Sequence, residues 1–238
     1  MAGISGDNWS ESVPHFRASF QHGASVTQEQ ITELERRWLP PMASRDDSET
    51  ERLCLVDEQG QAYRPGLTAQ RWLAHLLGLR HKAVHVLLLW ESSELGPVIL
   101  CQVRSFRKKD FPGHIDVSVG GHVVNGKDSL DTALREMDEE LGVRATDVVE
   151  PGLQGVGGYE CTIESRASRF LDVEWRDVYL ARIEHLDRLY FKDGEVDGLY
   201  LCPIFNARQL LDQSALSVAN GLTYSLPLCL SFLEAGRV

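Results

Sequence analysis

The sequence predicts an α/β fold, a sandwich built on a mixed sheet, and three observations predict it. Two continuous apolar runs, 83–90 (AVHVLLLW) and 97–103 (PVILCQV), have the length of strands buried on both faces. Amphipathic helical segments are placed between and after the strand-like stretches, the clearest from Asp128 to Leu141. No internal repeat or low-complexity tract breaks this order, so helices layered on a sheet are the expected solution.

The elements follow in chain order. Residues 1–26 are polar, bear glycine and serine, and show no period, so they read as an arm. Thr27-Gln28-Glu29-Gln30 has the spacing of a capping box, with Ile31, Leu34 and Trp38 following at helical intervals. Pro40-Pro41 ends that helix, and 42–51 (MASRDDSETE) reads as a linker. The chain thus divides into residues 1–50, an arm with one helix, and 51–238, the main domain with its closing helices. The short run Leu53 to Val56 leads into a turn at Asp57-Glu58-Gln59-Gly60. Thr68 to Leu77 reads as a helix carrying Trp72, Leu73, Leu76 and Leu77. The two apolar strands are joined through Glu94-Leu95-Gly96, and a further β segment covers Ile115 to Val119. Strands are expected near 156–162, 173–183 and 198–203, and helices near 207–213 and 225–235.

Composition excludes several classes of function. The chain has 238 residues, with 24 Lys and Arg against 35 Asp and Glu, a net charge of −11. That balance opposes a nucleic-acid scaffold, which needs basic charge to displace counterions. No apolar run approaches the ~20 residues of a membrane helix. The first residues carry no basic stretch followed by an apolar one, so no secretory leader is expected. Five cysteines, odd in number and dispersed, point to reduced thiols in the cytoplasm and away from cysteine-bound zinc.

The segment from Gly120 to Val143 carries the chemistry. Leu130, Leu134, Met137 and Leu141 form an apolar stripe that docks the helix. Glu136, Glu139 and Glu140, spaced i, i+3, i+4, share another face, with Arg135 beside them. Like charges on one face repel, and they stand toward the helix C-terminus, where the dipole disfavours them. A hard divalent cation, Mg²⁺ or Mn²⁺, reverses that penalty. Gly120-Gly121 lets the backbone approach a ligand just upstream.

This segment resembles the Nudix box, G-x5-E-x7-R-E-U-x-E-E-x-G-U. Gly121, Arg135, Glu136, Met137, Glu139, Glu140, Gly142 and Val143 match in register, and Lys127 stands where the pattern has its first glutamate. Upstream, 80–86 and 109–122 look like the branch containing isopentenyl-diphosphate isomerases and related hydrolases. The resemblance covers roughly residues 50–215 and implies a Nudix-type α/β/α sandwich with an N-terminal helical extension. The isomerases place a catalytic cysteine just before a Gly-His pair. That place is Gly120 here, which argues against isomerisation. Their metal site uses histidines; His81 and His122 echo it, with His75 nearby, and we read these histidines as structural.

The resemblance implies a metal-dependent hydrolase that cleaves a diphosphate linkage in a nucleoside diphosphate or nucleoside-diphosphate-linked small molecule. It assigns Mg²⁺ or Mn²⁺ to Glu136, Glu139, Glu140 and a carbonyl of Gly120 or Gly121. Catalysis falls to Glu136 as ligand or base, Arg135 as its orienter, and Glu139. Substrate contacts fall to Arg104, at the head of the basic run 104–109, to Lys127, and to Glu195 as a downstream acid, with Glu160, Glu164 and Glu174 as weaker competitors. A homodimer is compatible with such folds. The alternative is a Nudix-fold nucleotide-binding or regulatory module with weak or no turnover, motivated by Lys127 and the N-terminal extension.

Overall fold

The capping box forms as the sequence dictates. Helix α1 (Gln28–Arg37) starts at Thr27, whose side chain accepts from Gln30 N while Gln30 Oε1 accepts from Thr27 N at 2.9 Å. The computed structural model describes residues 26–38, 50–63, 66–108, 110–165, 170–192, 194–212 and 216–236. The expected arm (1–25), Pro40-Pro41, the linker up to residue 49, Lys109 and Asp193 lie outside them.

The chain forms two compact units. One comprises residues 1–82, 122–127 and 160–176, the other 83–121, 128–159 and 177–238. In the first, α1 buries Ile31 and Leu34, and Trp38 beyond its end, in a cluster with Leu53, Leu55, Trp72, Leu73 and Leu77. Glu35 adds polar ties, accepting from Arg52 Nη1 at 2.9 Å and from Gln70 N at 2.7 Å. Strands β1 (Arg52–Cys54) and β2 (Thr68–Gln70) pair antiparallel, Leu53 opposite Ala69. The helix expected from Thr68 therefore begins later, as α2 (Arg71–Leu77). The hydrogen bonds of 68–70 go to β1 and Gln28, which ladder pairing satisfies and a helical turn would not. The turn at Asp57 forms, with Oδ1 accepting from Gln59 N and Gln61 N.

The remaining strands are β3 (His81–Ser92), β4 (Gly96–Arg104), β5 (Ile115–Asp116), β6 (Val119–His122), β7 (Gln154–Ser165), β8 (Phe170–Ile183) and β9 (Val196–Pro203). They make a seven-stranded sheet of order β5-β4-β3-β8-β7, with β6 beside β3 and β9 beside β4. The expected segment 115–119 is thus two strands, interrupted at Val117-Ser118. β3 and β4 form a hairpin with Ser92 opposite Gly96, whose φ of 68° suits glycine.

Alternation along the strands of the second unit builds the sandwich. Leu87, Leu89, Ile99, Cys101, Val178 and Leu180 enter one core with α4 (Ala207–Asp212) and α5 (Asn220–Glu234). Gln102, one residue on from Cys101, points the opposite way and donates to Glu140 of α3 (Ser129–Leu141) at 3.3 Å. Asp177, one residue before Val178, accepts from Ser129 of the same helix at 2.6 Å. Helices therefore cover both faces of this part of the sheet. α5 starts five residues earlier than expected. Asp116 Oδ1 accepts from Leu222 N at 3.1 Å, capping a helix whose own N-cap position, Ala219, offers no side-chain acceptor.

The docking stripe on α3 needs correction. Met137 and Leu141 are fully buried, but Leu130 is 44% exposed, and the buried face runs through Ser129, Thr132, Ala133, Met137 and Glu140. At 100° per residue Ala133, Met137 and Glu140 lie nearer the centre of the buried face than Leu130 does.

Candidate functional site

The glycine loop and the acidic helix meet in the second unit. Gly121 ends within β6, and a Cβ built on it would lie 2.2 Å from Glu136 Oε1 and 2.3 Å from its Cδ. Only a glycine leaves room for that carboxylate against the strand. Arg135 forks between two acids, donating from Nη2 to Glu136 Oε1 at 2.7 Å and from Nη1 to Glu139 Oε2 at 2.5 Å. Both are charge-assisted bonds that fix carboxylate direction. Glu140 is 3% exposed, bonded to Gln102, whereas Glu139 is exposed and Glu136 half-buried. Gly120 lies beside His85, whose Cδ2 would be 3.2 Å from an added Cβ.

The helix ends as its sequence prescribes. Asp128 caps the start by accepting from Asp131 N at 2.8 Å, and Gly142 ends it in the left-handed region at φ 70°. The Tyr190 ring lies where a Gly142 Cβ would stand, and Lys192 Nζ reaches Asp138 Oδ1 at 2.8 Å. These contacts bind the segment leading to Glu195 to the helix. Glu195 pairs with Lys108 at 2.5 Å, and its carbonyl accepts from Ser105 N at 2.8 Å. Arg104 follows a bulge in the β4–β9 ladder and donates to Asp116 Oδ2 at 3.2 Å and to the Asp110 carbonyl at 3.1 Å. Lys127 is exposed. Of the weaker acids, Glu160 pairs with Arg80 at 2.5 Å.

The first unit holds a second constellation. His75 of α2, His81 at the start of β3 and His122 at the end of β6 gather with ring centroids 5.1–5.7 Å apart. Asp172 and Glu174 of β8 join them. His122 Nε2 lies 2.9 Å from Glu174 Oε1, and His81 Nε2 lies 3.3 Å from Asp172 Oδ1. Among the described residues, the groups whose ligand atoms gather within 4.8 Å are His75/His81/His122 and His81/Asp172/Glu174; the box carboxylates are not among them. His81 Nδ1 faces the Leu79 carbonyl at 2.9 Å. A carbonyl only accepts, so Nδ1 carries a proton and Nε2 is the nitrogen turned to the cluster. His81 Nε2 and Asp172 Oδ1 are buried and make no hydrogen bond of good geometry. Such atoms, converging at these distances, suit a divalent ion with mixed nitrogen and oxygen ligands.

The electrostatics agree with a tightly buried set. Burial, then the fields of His81 and His122, holds His75 well below the ordinary histidine range. Burial, then Arg71, pushes His122 down to about 4. Burial works against a charged His81, but Glu174 and Asp172 outweigh it and raise that ring. Burial and neighbouring Glu174 push Asp172 up to about 7. Glu174 stays well below the carboxylate range despite burial, because Arg176 and the two histidines hold its charge.

The sequence offers His81, His122 and His75 as an echo of the isomerase metal site, read as structural, and Glu174 as a weaker acid, but it gives no role to Asp172 or Arg176. The signal was present: Asp172, Glu174 and Arg176 alternate within a strand-forming stretch, so all three share one face, and three charges on a buried strand need partners.

Comparison with known proteins gives the following. A family model described as NUDIX domain matches residues 79–217, more than half of the chain. Nudix hydrolase 3 of Arabidopsis thaliana is 32% identical over 157 residues, which is 63% of this chain and 19% of that protein. An uncharacterized Nudix hydrolase of Pseudomonas aeruginosa is 35% identical over 111 residues, 47% of this chain and 62% of that one. The chain thus spans less than two thirds of the length of either relative. Among solved structures, DR0079 from Deinococcus radiodurans is similar with a TM-score of 0.52 at 20% identity, over 75% of this chain and 99% of that one, a likeness of fold. Among the described residues no helix is long and apolar enough to cross a membrane.

Proposed function

Because the chain belongs to the NUDIX domain family, we propose that it hydrolyses a diphosphate linkage in a nucleoside diphosphate or nucleoside-diphosphate-linked small molecule, using Mg²⁺ or Mn²⁺. The observation that carries this reading is the seat of Glu136 on the bare backbone of Gly121, with Arg135 holding its carboxylate. A carboxylate so fixed keeps one direction, which a base or a ligand needs. Glu139 and Glu140, with a carbonyl of Gly120, complete the donor set for the ion on this helix. When bound, such ions neutralise the diphosphate and lower the pKa of attached water. Glu136 takes the proton of the attacking water or shares in holding the ion, and Arg135 keeps Glu136 aimed. Arg104, Lys127 and Glu195 contact the substrate. Arg104 is held by Asp116, so it presents its charge from a fixed position.

The same reading gives the His75, His81, His122, Asp172 and Glu174 cluster a divalent ion of its own. Three imidazoles and two carboxylates favour Mn²⁺ or Zn²⁺ over Mg²⁺. Calorimetric titration of Mn²⁺ tests the helix assignment. Glu139→Gln and Glu140→Gln should each remove or weaken one binding event, and a Glu140→Gln protein that binds as the parent does would overturn it.

A further inference from the structure

The two oxygens of Glu174 face different partners. Oε1 approaches His122 Nε2 at 2.9 Å and His81 Nε2 at 3.8 Å, on the side of the converging ring nitrogens. Oε2 accepts the Nε–H of Arg176, a side chain only 6% exposed. Arginine is almost never buried to this extent unless paired, and here its pair is a member of the cluster. We infer that Arg176 is the positioning residue that tunes this cluster's grip on a divalent ion: it occupies one oxygen of Glu174, leaves the other to the ion, and weakens binding by its fixed positive charge. This rests on reading the cluster as a metal centre.

Two effects of Arg176 oppose one another. By fixing Glu174 it favours the ion, as outer-shell partners generally do by about 10–100-fold in affinity. By its charge it disfavours the ion. Asp172 and Glu174 together balance one divalent cation, and a guanidinium on one of them already offsets half of that charge. Two unit charges about 4 Å apart at an effective dielectric constant of about 20 interact by about 4 kcal/mol, roughly a thousandfold in affinity, and a doubly charged ion held by the other oxygen of the same carboxylate meets a repulsion of that order. Repulsion therefore outweighs orientation. Removing the charge should tighten binding even though a hydrogen bond is lost.

The test is calorimetric titration of Mn²⁺ into the full chain and its variants, with melting curves to check folding. R176M removes charge and hydrogen bond, whereas R176Q removes the charge and keeps a donor. Both should bind Mn²⁺ at least tenfold more tightly than the parent at this site, and R176Q the more tightly of the two. R176K keeps the charge and should bind within about threefold of the parent. Neutral variants that bind equally or more weakly overturn the inference while leaving the metal centre standing. An R176K protein that binds tenfold more tightly overturns it as well, and serves if the neutral variants do not fold. A parent protein whose only Mn²⁺ sites survive His81→Gln unchanged overturns both the inference and the metal centre beneath it.

Discussion

Replacing Gly121 by alanine adds one methyl group where the structure has room for none. The new Cβ would lie 2.2 Å from Oε1, 2.3 Å from Cδ and 2.6 Å from Cγ of Glu136. These atoms are the far end of a flexible side chain, so the helix can stay in place while the carboxylate retreats. Gly121 does not adopt a positive φ, so alanine adds no backbone strain. Relief of the overlap requires a displacement on the order of 1 Å, against the 2.7 Å hold of Arg135. An off-rotamer Glu136 costs about 0.5–1.5 kcal/mol, a fall in Tm of roughly 1–6 °C for a chain of this size. Misplacing a catalytic group by about 1 Å costs on the order of 10²-fold in rate. Gly121→Ala should therefore melt nearly as the parent does while losing about 100-fold in kcat. The assay is phosphate or nucleotide release from diphosphate substrates at saturating Mn²⁺, beside a melting curve. A kcat within threefold of the parent, or a fall in Tm beyond 10 °C, refutes the reasoning that the glycine serves the carboxylate rather than the fold.

Other predictions follow from neighbouring contacts. Asp116→Ala removes the cap of α5 and the partner of Arg104 together, and should cost about 2–4 kcal/mol, read as a shift in denaturant midpoint with an unchanged m-value. Burial pushes the Cys202 and Cys229 thiols up to about 11 and about 12. At pH 8 only about one Cys202 side chain in a thousand is thus a thiolate. Native labelling with iodoacetamide should spare both, modify half-buried Cys54 first, and rise as pH increases. Unfolding should expose all five. Lys127→Ala should raise KM for a diphosphate substrate several-fold with little change in kcat, since an exposed lysine contributes binding alone. A kcat that rises on Lys127→Glu would instead favour the binding-module alternative with a weakened site.

The residues explain how far the sequence could be read. Helix α3 was legible because one period, one cap at Asp128 and one left-handed glycine at 142 agree. Its precise rotation was not, because Glu140 lies on the buried face, where Gln102, 38 positions away in sequence, donates to it. The apolar runs 83–90 and 97–103 read directly as strands, but the start of α5 did not, since its cap arrives from Asp116, 106 positions upstream. Helix α2 was read three residues too long because β1 claims the backbone of 68–70. Spacing places Glu136, Glu139 and Glu140 on one helix face, and the resemblance to the Nudix box names the rest. The three histidines could be noted by resemblance, but their meeting with Asp172 and Glu174 could not, because these residues come from four separate segments and gather only once the strands are placed. Arg176 shows the general limit: period places it on the same strand face as Glu174, while its consequence depends on atoms that sequence does not order.

The most direct measurement of the central claim is the rate of hydrolysis of a panel of nucleoside diphosphates and nucleoside-diphosphate-linked compounds by the parent and by Glu140→Gln. Each is assayed with Mg²⁺ or Mn²⁺ and again with a chelator. The account predicts that at least one member is cleaved at its diphosphate, that chelation abolishes cleavage, and that Glu140→Gln lowers it at least 100-fold. No cleavage of any member with the metal demonstrably bound, or cleavage that persists in Glu140→Gln, would contradict it.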